Sequence, residues 1–326
     1  MSDLVLEGGG VKGAGLAGAV SVLARDYDFH RVAGTSAGAI VAAFVAAGLQ
    51  DRLESMLVDT DFSGFLDPGA AGRLFGPLGS GLDVMLREGI YRGRVLHRWV
   101  AATLAEAGVQ TWGDLRVPGA DARTPVEQRY RLVVIVSDVT RGRMLRLPWD
   151  YERLLGYSPD AMPVADAVRA SASIPFFFRP WRLRVDPALT DGRNELVLTD
   201  GAMLSNYPID LFDDELDHPT IGVKLSGRLR LSEEKWNDAD DPLSLARALV
   251  ATMTNAHDQL YVDQASVASR TIFVETSGVR ATDFRLDAVE KRMLFANGAR
   301  SAGDFLADWD YDAWRARYAA PVAGVA

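Results

Sequence analysis

Short apolar runs recur along the chain, separated by segments whose apolar residues return every three or four positions. Strand-length runs alternating with helical periods are typical of a mostly parallel sheet covered on both faces. The strand-like runs are Leu4–Glu7, Arg31–Gly34, Leu132–Asp138, Leu196–Thr199, Thr220–Leu225 and Thr271–Glu275. The helix-like segments are Ala14–Arg25, Ala37–Gly48, Arg94–Ala107 and Leu243–Ala268. The pattern therefore predicts an α/β fold.

Two stretches interrupt this alternation. Residues 62–94 are rich in glycine and have no sustained period, which predicts a mobile excursion that either covers an active site or packs as a surface loop. The acidic stretch Glu233–Pro242 lacks the glycine and the final glutamate of a calcium loop, so we expect a solvated connection. Because no repeat or linker divides the chain, we expect one domain over residues 1–326.

Composition excludes some classes of partner. With 326 residues, 48% of them hydrophobic, the chain has ample material for a large core. A formal charge of -9 argues against nucleic acid, since binding to phosphates needs clustered lysine and arginine. A local apolar patch can still contact lipid, so transient contact with a membrane surface stays open. The absence of cysteine excludes disulfides and thiol chemistry.

The amino-terminal segment bears on location. Its first six residues, MSDLVL, have no basic region and only a strand-length apolar stretch, which is unlike a secretory signal. The longest apolar run, Ala37–Leu49, is shorter than the roughly 20 residues that cross a bilayer. We therefore expect a cytoplasmic location, peripheral at the membrane if lipid is contacted.

The first chemical motif is the glycine cluster after the first strand. Gly8, Gly10 and Gly13 satisfy G-x-G-x-x-G between a strand and a helix, and Asp26 and Asp28 lie near the distance of a ribose-binding acid. This spacing supports one hypothesis, a nucleotide-binding module.

The second motif is GTSAG, in which Gly34, Ser36 and Gly38 fit G-x-S-x-G between a short strand and a long apolar helix. In a nucleophile elbow the serine occupies a strained turn, and the residues two positions either side must be small. The following helix also presents its positive end to Ser36. The alternative is a tight turn whose serine only caps the helix.

A nucleophilic serine needs a base. The chain has four histidines, His30, His97, His218 and His257, none of them in a comparable motif. The chain order serine, aspartate, histidine permits His218 or His257. Asp200 is the better candidate because it ends an apolar strand and is followed by Gly201 and Ala202. A carboxylate can act directly on serine if burial raises its pKa.

The opening glycines then acquire a second interpretation. Acyl transfer to Ser36 creates a tetrahedral oxyanion that needs fixed N–H donors, and Gly8, Gly9 and Gly10 can supply them. Lys12 either adds positive charge at the rim of this site or faces water. In the nucleotide-binding hypothesis, by contrast, Ser36 has no role.

Three motifs, GGGVKG at 8–13, GTSAG at 34–38 and DGA at 200–202, stand in this order. With GIYRGRVLHRWV, TWGDL, SDVTRGRMLRLP and AVRASASIPFFFRP between them, the sequence resembles the patatin-like phospholipase family of bacterial type. The resemblance is specific over residues 3–210 and weaker beyond them.

The resemblance implies a three-layer α/β/α patatin-like fold and a Ser–Asp dyad without histidine. It makes Ser36 the nucleophile, Asp200 the base and residues 8–10 the oxyanion loop, with Gly34 and Gly38 supporting the elbow. The implied activity is hydrolysis of acyl esters in phospholipids or other lipids, with no metal or organic cofactor.

Two further expectations concern the surroundings of this site. The run Phe176–Phe178 and the residues Phe62, Phe65, Leu66 and Phe75 either line an acyl channel or fill the core. The part from about Asp210 onward is a candidate sensor of a partner or small effector, as in some bacterial patatin-like effectors.

Overall fold

The computed structural model describes residues 1–69, 88–214, 217–225, 248, 252, 264–276 and 278–318. The strands are β1 Ser2–Leu6, β2 Phe29–Thr35, β3 Gly89–Tyr91, β4 Leu132–Asp138, β5 Arg143–Leu147, β6 Phe176–Phe178, β7 Trp181–Arg184, β8 Glu195–Asp200, β9 Thr220–Lys224 and β10 Thr271–Phe273. The α-helices are α1 Gly13–Leu23, α2 Ala37–Ala46, α3 Leu53–Val58, α4 Arg94–Glu106, α5 Val126–Arg129, α6 Val164–Ser171, α7 Ala265–Ala268, α8 Ala288–Asp308 and α9 Tyr311–Tyr318.

Eight of the described strands form the central sheet. Its order is β10-β9-β1-β2-β4-β8-β7, and β5 pairs with β4 outside this path. The strands from β10 to β4 run parallel, whereas β5 and β8 run antiparallel to β4, and β7 runs antiparallel to β8. The predicted mostly parallel sheet is therefore confirmed. A separate parallel pair joins β3 to β6.

The register on β4 brings two strand ends together. Ile135 lies opposite Thr35 of β2, and the next residue, Val136, lies opposite Asp200 of β8. Because β5 takes the other edge of β4, β2 and β8 share one edge and meet end to end. The carboxyl end of the strand before Ser36 thus faces the carboxyl end of the strand that carries Asp200.

Apolar side chains cover both faces of the sheet. Leu4 and Leu6 of β1 belong to the larger apolar cluster, with residues of α1, α2, α4 and α6, whereas Val5 belongs to a second cluster on the opposite face. That second cluster is completed by Trp149, segment 207–212 and α7. A strand with both faces covered reads as a continuous apolar run, as β1 and β4 do. The result is the expected three-layer arrangement.

The sequence pattern did not predict α8, which packs on α1 through glycines. A Cβ on Gly298 would lie 1.9 Å from the carbonyl oxygen of Gly15, and one on Gly18 would lie 1.9 Å from that of Phe295. The buried side of α8 includes Lys291 and Gly298, so its apolar period is weak. Most of the predicted helix at 243–268 lies outside the described residues, as does the acidic stretch 233–242.

The predicted excursion at 62–94 is packed at both described ends. Residues Phe62–Phe65 form a 3-10 turn in which the two phenylalanines are buried, and the other end forms β3. Asp67 joins the two ends, accepting hydrogen bonds from the N–H of Gly93 at 2.6 Å and Arg94 at 2.9 Å. Residues 70–87 lie outside the described part. Within the described helices, none combines the length and the apolar character that crossing a bilayer requires.

Candidate active site

Ser36 occupies a sharp turn between β2 and α2. Its backbone has φ 53° and ψ -118°, a conformation that costs a non-glycine residue of order 1–3 kcal/mol. The two glycines of the motif permit this turn. A Cβ on Gly34 would lie 2.3 Å from the carbonyl oxygen of Gly38, and one on Gly38 would lie 2.3 Å from that of Leu6. The local geometry is that of a nucleophile elbow.

The hydroxyl of Ser36 donates a hydrogen bond to Asp200 Oδ2 at 2.7 Å. The other carboxylate oxygen, Oδ1, accepts from the N–H of Ala202 at 2.9 Å. Ser36 and Asp200 are each 4% exposed. Burial raises the pKa of Asp200 to about 6, although hydrogen bonds from Ser36 and Ala202 and the charge of Arg169 lower it. A carboxylate with this pKa is ionised at neutral pH and is a stronger base than an exposed one.

The carboxyl end of α6 holds the backbone of both residues. The N–H of Ser36 donates to Ser171 Oγ at 2.8 Å, and that hydroxyl donates to the carbonyl oxygen of Ile135 at 2.6 Å. The N–H of Asp200 donates to the carbonyl oxygen of Ser173 at 3.0 Å. Sequence reasoning assigned no role to these serines, although two small hydroxyl residues at and just after the end of a helix were a usable signal.

The glycine loop is tied to the segment after Asp200. The N–H of Gly8 donates to the carbonyl oxygen of Asn206 at 3.1 Å, and Asn206 Nδ2 donates to Glu7 Oε1 at 3.2 Å. Glu7 is buried and forms an ion pair with Lys224. The Gly8 amide is therefore engaged, which removes it from the predicted oxyanion donors.

The amides of Gly9 and Gly10 are the remaining predicted oxyanion donors of the loop. Among the described residues, none accepts a hydrogen bond from either N–H. Gly10 has φ +58°, a conformation that favours glycine, and it lines the same cavity as Ser36. The sequence analysis predicted three oxyanion donors, and the amides of Gly9 and Gly10 are the two that remain candidates.

An apolar cavity of about 50 Å³ opens beside Ser36. Its other walls are Gly10, Val11, Gly13, Ala37, Ile40, Leu57, Phe62, Phe65, Leu96, Trp99, Ala172, Ile174, Phe178 and Phe284. None of these described lining residues carries a charge. The cavity therefore suits a hydrocarbon chain better than a polar head group.

The residues predicted to line an acyl channel or fill the core fall into two groups, those that line the cavity and those that pack elsewhere. Phe62, Phe65 and Phe178 line the cavity, whereas Phe176 and Leu66 do not, and Phe75 lies outside the described residues. Phe177 packs behind the wall, with its ring 5.1 Å from that of Phe284. Sequence reasoning missed Phe284, which comes from the chain well beyond the motifs.

The contacts of the described histidines are with residues other than Ser36. His97 Nε2 is 2.8 Å from Asp166 Oδ1. His218 Nε2 is 3.4 Å from Asp3 Oδ1, and its ring is 4.9 Å from that of His30. His257 lies outside the described residues. Lys12 is the residue before α1 and does not line the cavity, so its rim charge stays a prediction.

The nucleotide-binding hypothesis conflicts with two features. Asp26 and Asp28 precede β2, whereas a ribose-binding acid belongs at the carboxyl end of a strand. The glycine loop is also covered, because the carbonyl oxygen of Ala281 accepts from Val11 N–H at 3.0 Å. A Cβ on Gly10 would lie 1.9 Å from that oxygen, so Ala281 blocks a pyrophosphate on the side of Gly10 where that Cβ would point and leaves only the side that lines the apolar cavity. The described residues include no group of three or more potential metal-binding side chains.

The fold and site define an α/β protein with an elbow serine hydrogen-bonded to an aspartate. Residues 4–213, more than half of the chain, match the family described as Patatin-like phospholipase. The chain belongs to the patatin-like phospholipase family, and membership implies lipid acyl hydrolase activity.

Relatives extend beyond the family match. The uncharacterised protein YqhO of Bacillus subtilis (strain 168) is 38% identical over 313 residues, covering 95% of this chain and 99% of YqhO. An uncharacterised protein of Acanthamoeba polyphaga mimivirus is 22% identical over 327 residues, covering 92% of each chain. The crystal structure of VipD from Legionella pneumophila aligns with a TM-score of 0.54 at 17% identity. That alignment covers 94% of this chain and 66% of VipD, and it shows a shared fold.

Proposed function

We propose that this protein is a serine lipid acyl hydrolase of the phospholipase A or lysophospholipase type. Ser36 is the nucleophile, Asp200 is its general base, and the N–H groups of Gly9 and Gly10 form the oxyanion hole. The observation that carries the proposal is the 2.7 Å hydrogen bond from Ser36 Oγ to Asp200 Oδ2, made by two buried residues beside an apolar cavity.

Acylation follows from these contacts. As Ser36 Oγ bonds to the ester carbonyl carbon, its proton passes to Asp200 Oδ2 and the carbonyl electron pair moves to the oxygen. The Gly9 and Gly10 amides bind that oxyanion. The bond to the alcohol oxygen then breaks, and the proton on Asp200 moves to the departing alcohol.

Deacylation repeats the sequence with water. Asp200 accepts a proton as the water oxygen attacks the acyl carbon, and the bond from Ser36 Oγ to that carbon breaks. The proton returns to Ser36 Oγ, and a free fatty acid leaves. Each step needs Asp200 to change protonation state, which a pKa of about 6 permits near neutral pH.

The cavity supports an acyl chain as the buried part of the substrate. Its walls are apolar and uncharged, so the head group remains at the mouth. The cavity volume of about 50 Å³ is small beside the roughly 300–1,000 Å³ of ligand pockets, so the walls separate when a chain enters. Transient contact with a membrane surface would deliver such a chain.

The domain organisation belongs to the same proposal. We treat residues 1–326 as one patatin-like domain because β9 and β10 extend the sheet that carries Ser36. Effector sensing by the part from Asp210 onward stays a separate prediction.

The test is release of fatty acids from a mixed extract of phospholipids and neutral lipids, measured by mass spectrometry. We expect release by the wild type and a loss of at least roughly 1,000-fold in Ser36→Ala. Ser55→Ala is the matched control, because Ser55 is an exposed serine whose hydroxyl donates to Arg52. Equal release by the wild type and Ser36→Ala would overturn the proposal.

A further inference from the structure

Arg169 is a buried cation, and no carboxylate among the described residues forms a direct ion pair with it. It belongs to α6 and is 3% exposed. Its guanidinium donates to the carbonyl oxygens of Gly93 at 3.0 Å, Arg92 at 3.0 Å and Arg179 at 2.9 Å, and to Ser173 Oγ at 2.5 Å. All four acceptors are neutral, and a buried arginine is usually paired with a carboxylate.

Two carboxylates, Asp67 and Asp200, interact electrostatically with the Arg169 charge. Burial lowers the pKa of Arg169 to about 10, and the charges of Asp67 and Asp200 oppose that shift. Asp67 accepts hydrogen bonds from the N–H groups of Gly93 and Arg94 at the start of α4. Among the described residues, Arg169 is the ionised side chain that lowers the pKa of Asp200.

A second connection runs through the backbone. Ser173 Oγ accepts from Arg169, and the Ser173 carbonyl oxygen accepts the N–H of Asp200 at 3.0 Å. Two residues earlier, Ser171 accepts the N–H of Ser36. The segment from Arg169 to Ser173 therefore contacts both members of the dyad.

We propose that Arg169 is a positioning residue for the Ser36–Asp200 dyad, with a buried charge that keeps Asp200 ionised and a hydrogen bond that fixes it through Ser173. This inference rests on the proposed function. A general base must be ionised before it can accept a proton. Arg169 offsets part of the burial that disfavours the Asp200 carboxylate, and so it extends activity toward lower pH.

The test is the pH dependence of the rate at which an alkyl fluorophosphonate labels Ser36, because this reaction needs no knowledge of the lipid. We expect Arg169→Met to move the acid limb of the labelling rate upward by about one pH unit or more. Arg169→Lys keeps the charge and is expected to retain the wild-type acid limb. A purely structural role would lower the rate without moving the limb.

Arg182→Met is the matched control, because Arg182 is half-exposed and pairs with Glu88 and Glu195. We expect its acid limb to equal that of the wild type. Arg169→Gln removes the charge but keeps hydrogen-bond donors for the carbonyls. If Arg169→Met fails to fold, we expect the acid limb of Arg169→Gln to move upward by the same amount. An unshifted limb in folded Arg169→Gln or Arg169→Met overturns the inference alone. Failure of the wild type to be labelled overturns the proposed function and this inference with it.

Discussion

Asp3 and Asp200 are two buried carboxylates of one sheet, yet their surroundings differ. Asp3 is fully buried in β1, and its Oδ2 lies 2.6 Å from Arg31 Nη2. Burial raises the pKa of Asp3, but hydrogen bonds from His218 and Arg31 and their charges outweigh it and hold the pKa below its usual value. Asp200 instead contacts a neutral hydroxyl and a backbone amide, and burial raises its pKa to about 6.

The difference separates a structural carboxylate from a candidate catalytic one. A cation in direct contact neutralises Asp3, so that carboxylate is a poor base. The Arg169 charge acts on Asp200 without a direct hydrogen bond, so Asp200 stays ionised at neutral pH while remaining basic. The same substitution at the two positions should therefore have opposite consequences for activity and stability.

The largest expected effect is that of Asp200→Asn on activity. An amide cannot accept the Ser36 proton, so we expect kcat/KM to fall by at least roughly 1,000-fold. The melting temperature at pH 7 should not fall, since the variant removes a buried charge that costs about 1–3 kcal/mol. Lipid hydrolysis and thermal unfolding measure the two quantities. A variant that keeps more than a tenth of the activity would contradict the role of Asp200.

Asp3→Asn should have the largest effect on stability. It removes the carboxylate that forms a buried ion pair with Arg31, and breaking such a pair costs about 3–5 kcal/mol. Denaturant unfolding measures this loss, and the specific activity of the folded fraction should match the wild type. If Asp3→Asn lowered activity without lowering stability, the assignment of Asp3 to structure would be wrong.

The pH dependence of activity and of stability should also differ between Asp200 and Asp3. Activity should decline below about pH 6 as Asp200 is protonated. The stabilisation of Asp200→Asn should be full above pH 6 and vanish as pH falls toward 3.8, because the folded pKa is raised. Asp3 has a lowered folded pKa, so its contribution is full above pH 3.8 and is lost below it. Activity and unfolding profiles of the two variants test these windows.

The smallest expected effect is that of Ser171→Ala. This change removes the acceptor of the Ser36 N–H and loosens the strained turn, so we expect kcat to fall by about tenfold with KM little changed. Steady-state kinetics on the same lipid measure the split. An unchanged kcat would show that the turn is held without Ser171.

Local steric motifs made the elbow and much of the sheet predictable. The elbow requires glycine at 34 and 38, and both positions lie within one five-residue motif. Strands β1, β2 and β4 are apolar runs in the sequence because both of their faces are covered. The pairing of Ser36 with Asp200 was predicted because Asp200 ends an apolar strand before Gly201 and Ala202, and because the family resemblance implies a Ser–Asp dyad. The antiparallel direction of β8 was not predicted, because no local sequence pattern indicates the direction in which a strand runs.

Other features depend on contacts between distant segments. Arg169 and Asn206 donate hydrogen bonds to backbone carbonyls of other segments. Because every residue has a backbone carbonyl, the sequence does not indicate which one is the acceptor. Helix α8 buries Gly298 against α1, and close packing of glycine leaves no apolar period. Phe284 reaches the cavity from far beyond the motifs.

The most direct measurement is the mass of the peptide that carries Ser36 after the wild type reacts with a slowly hydrolysed acyl ester and is quenched. We predict one added acyl group on Ser36 in the wild type and none on the corresponding peptide of Ser36→Ala. Modification should be slower in Asp200→Asn. Hydrolysis that proceeds with the acyl group on another residue, or at an equal rate in Ser36→Ala, would contradict the account.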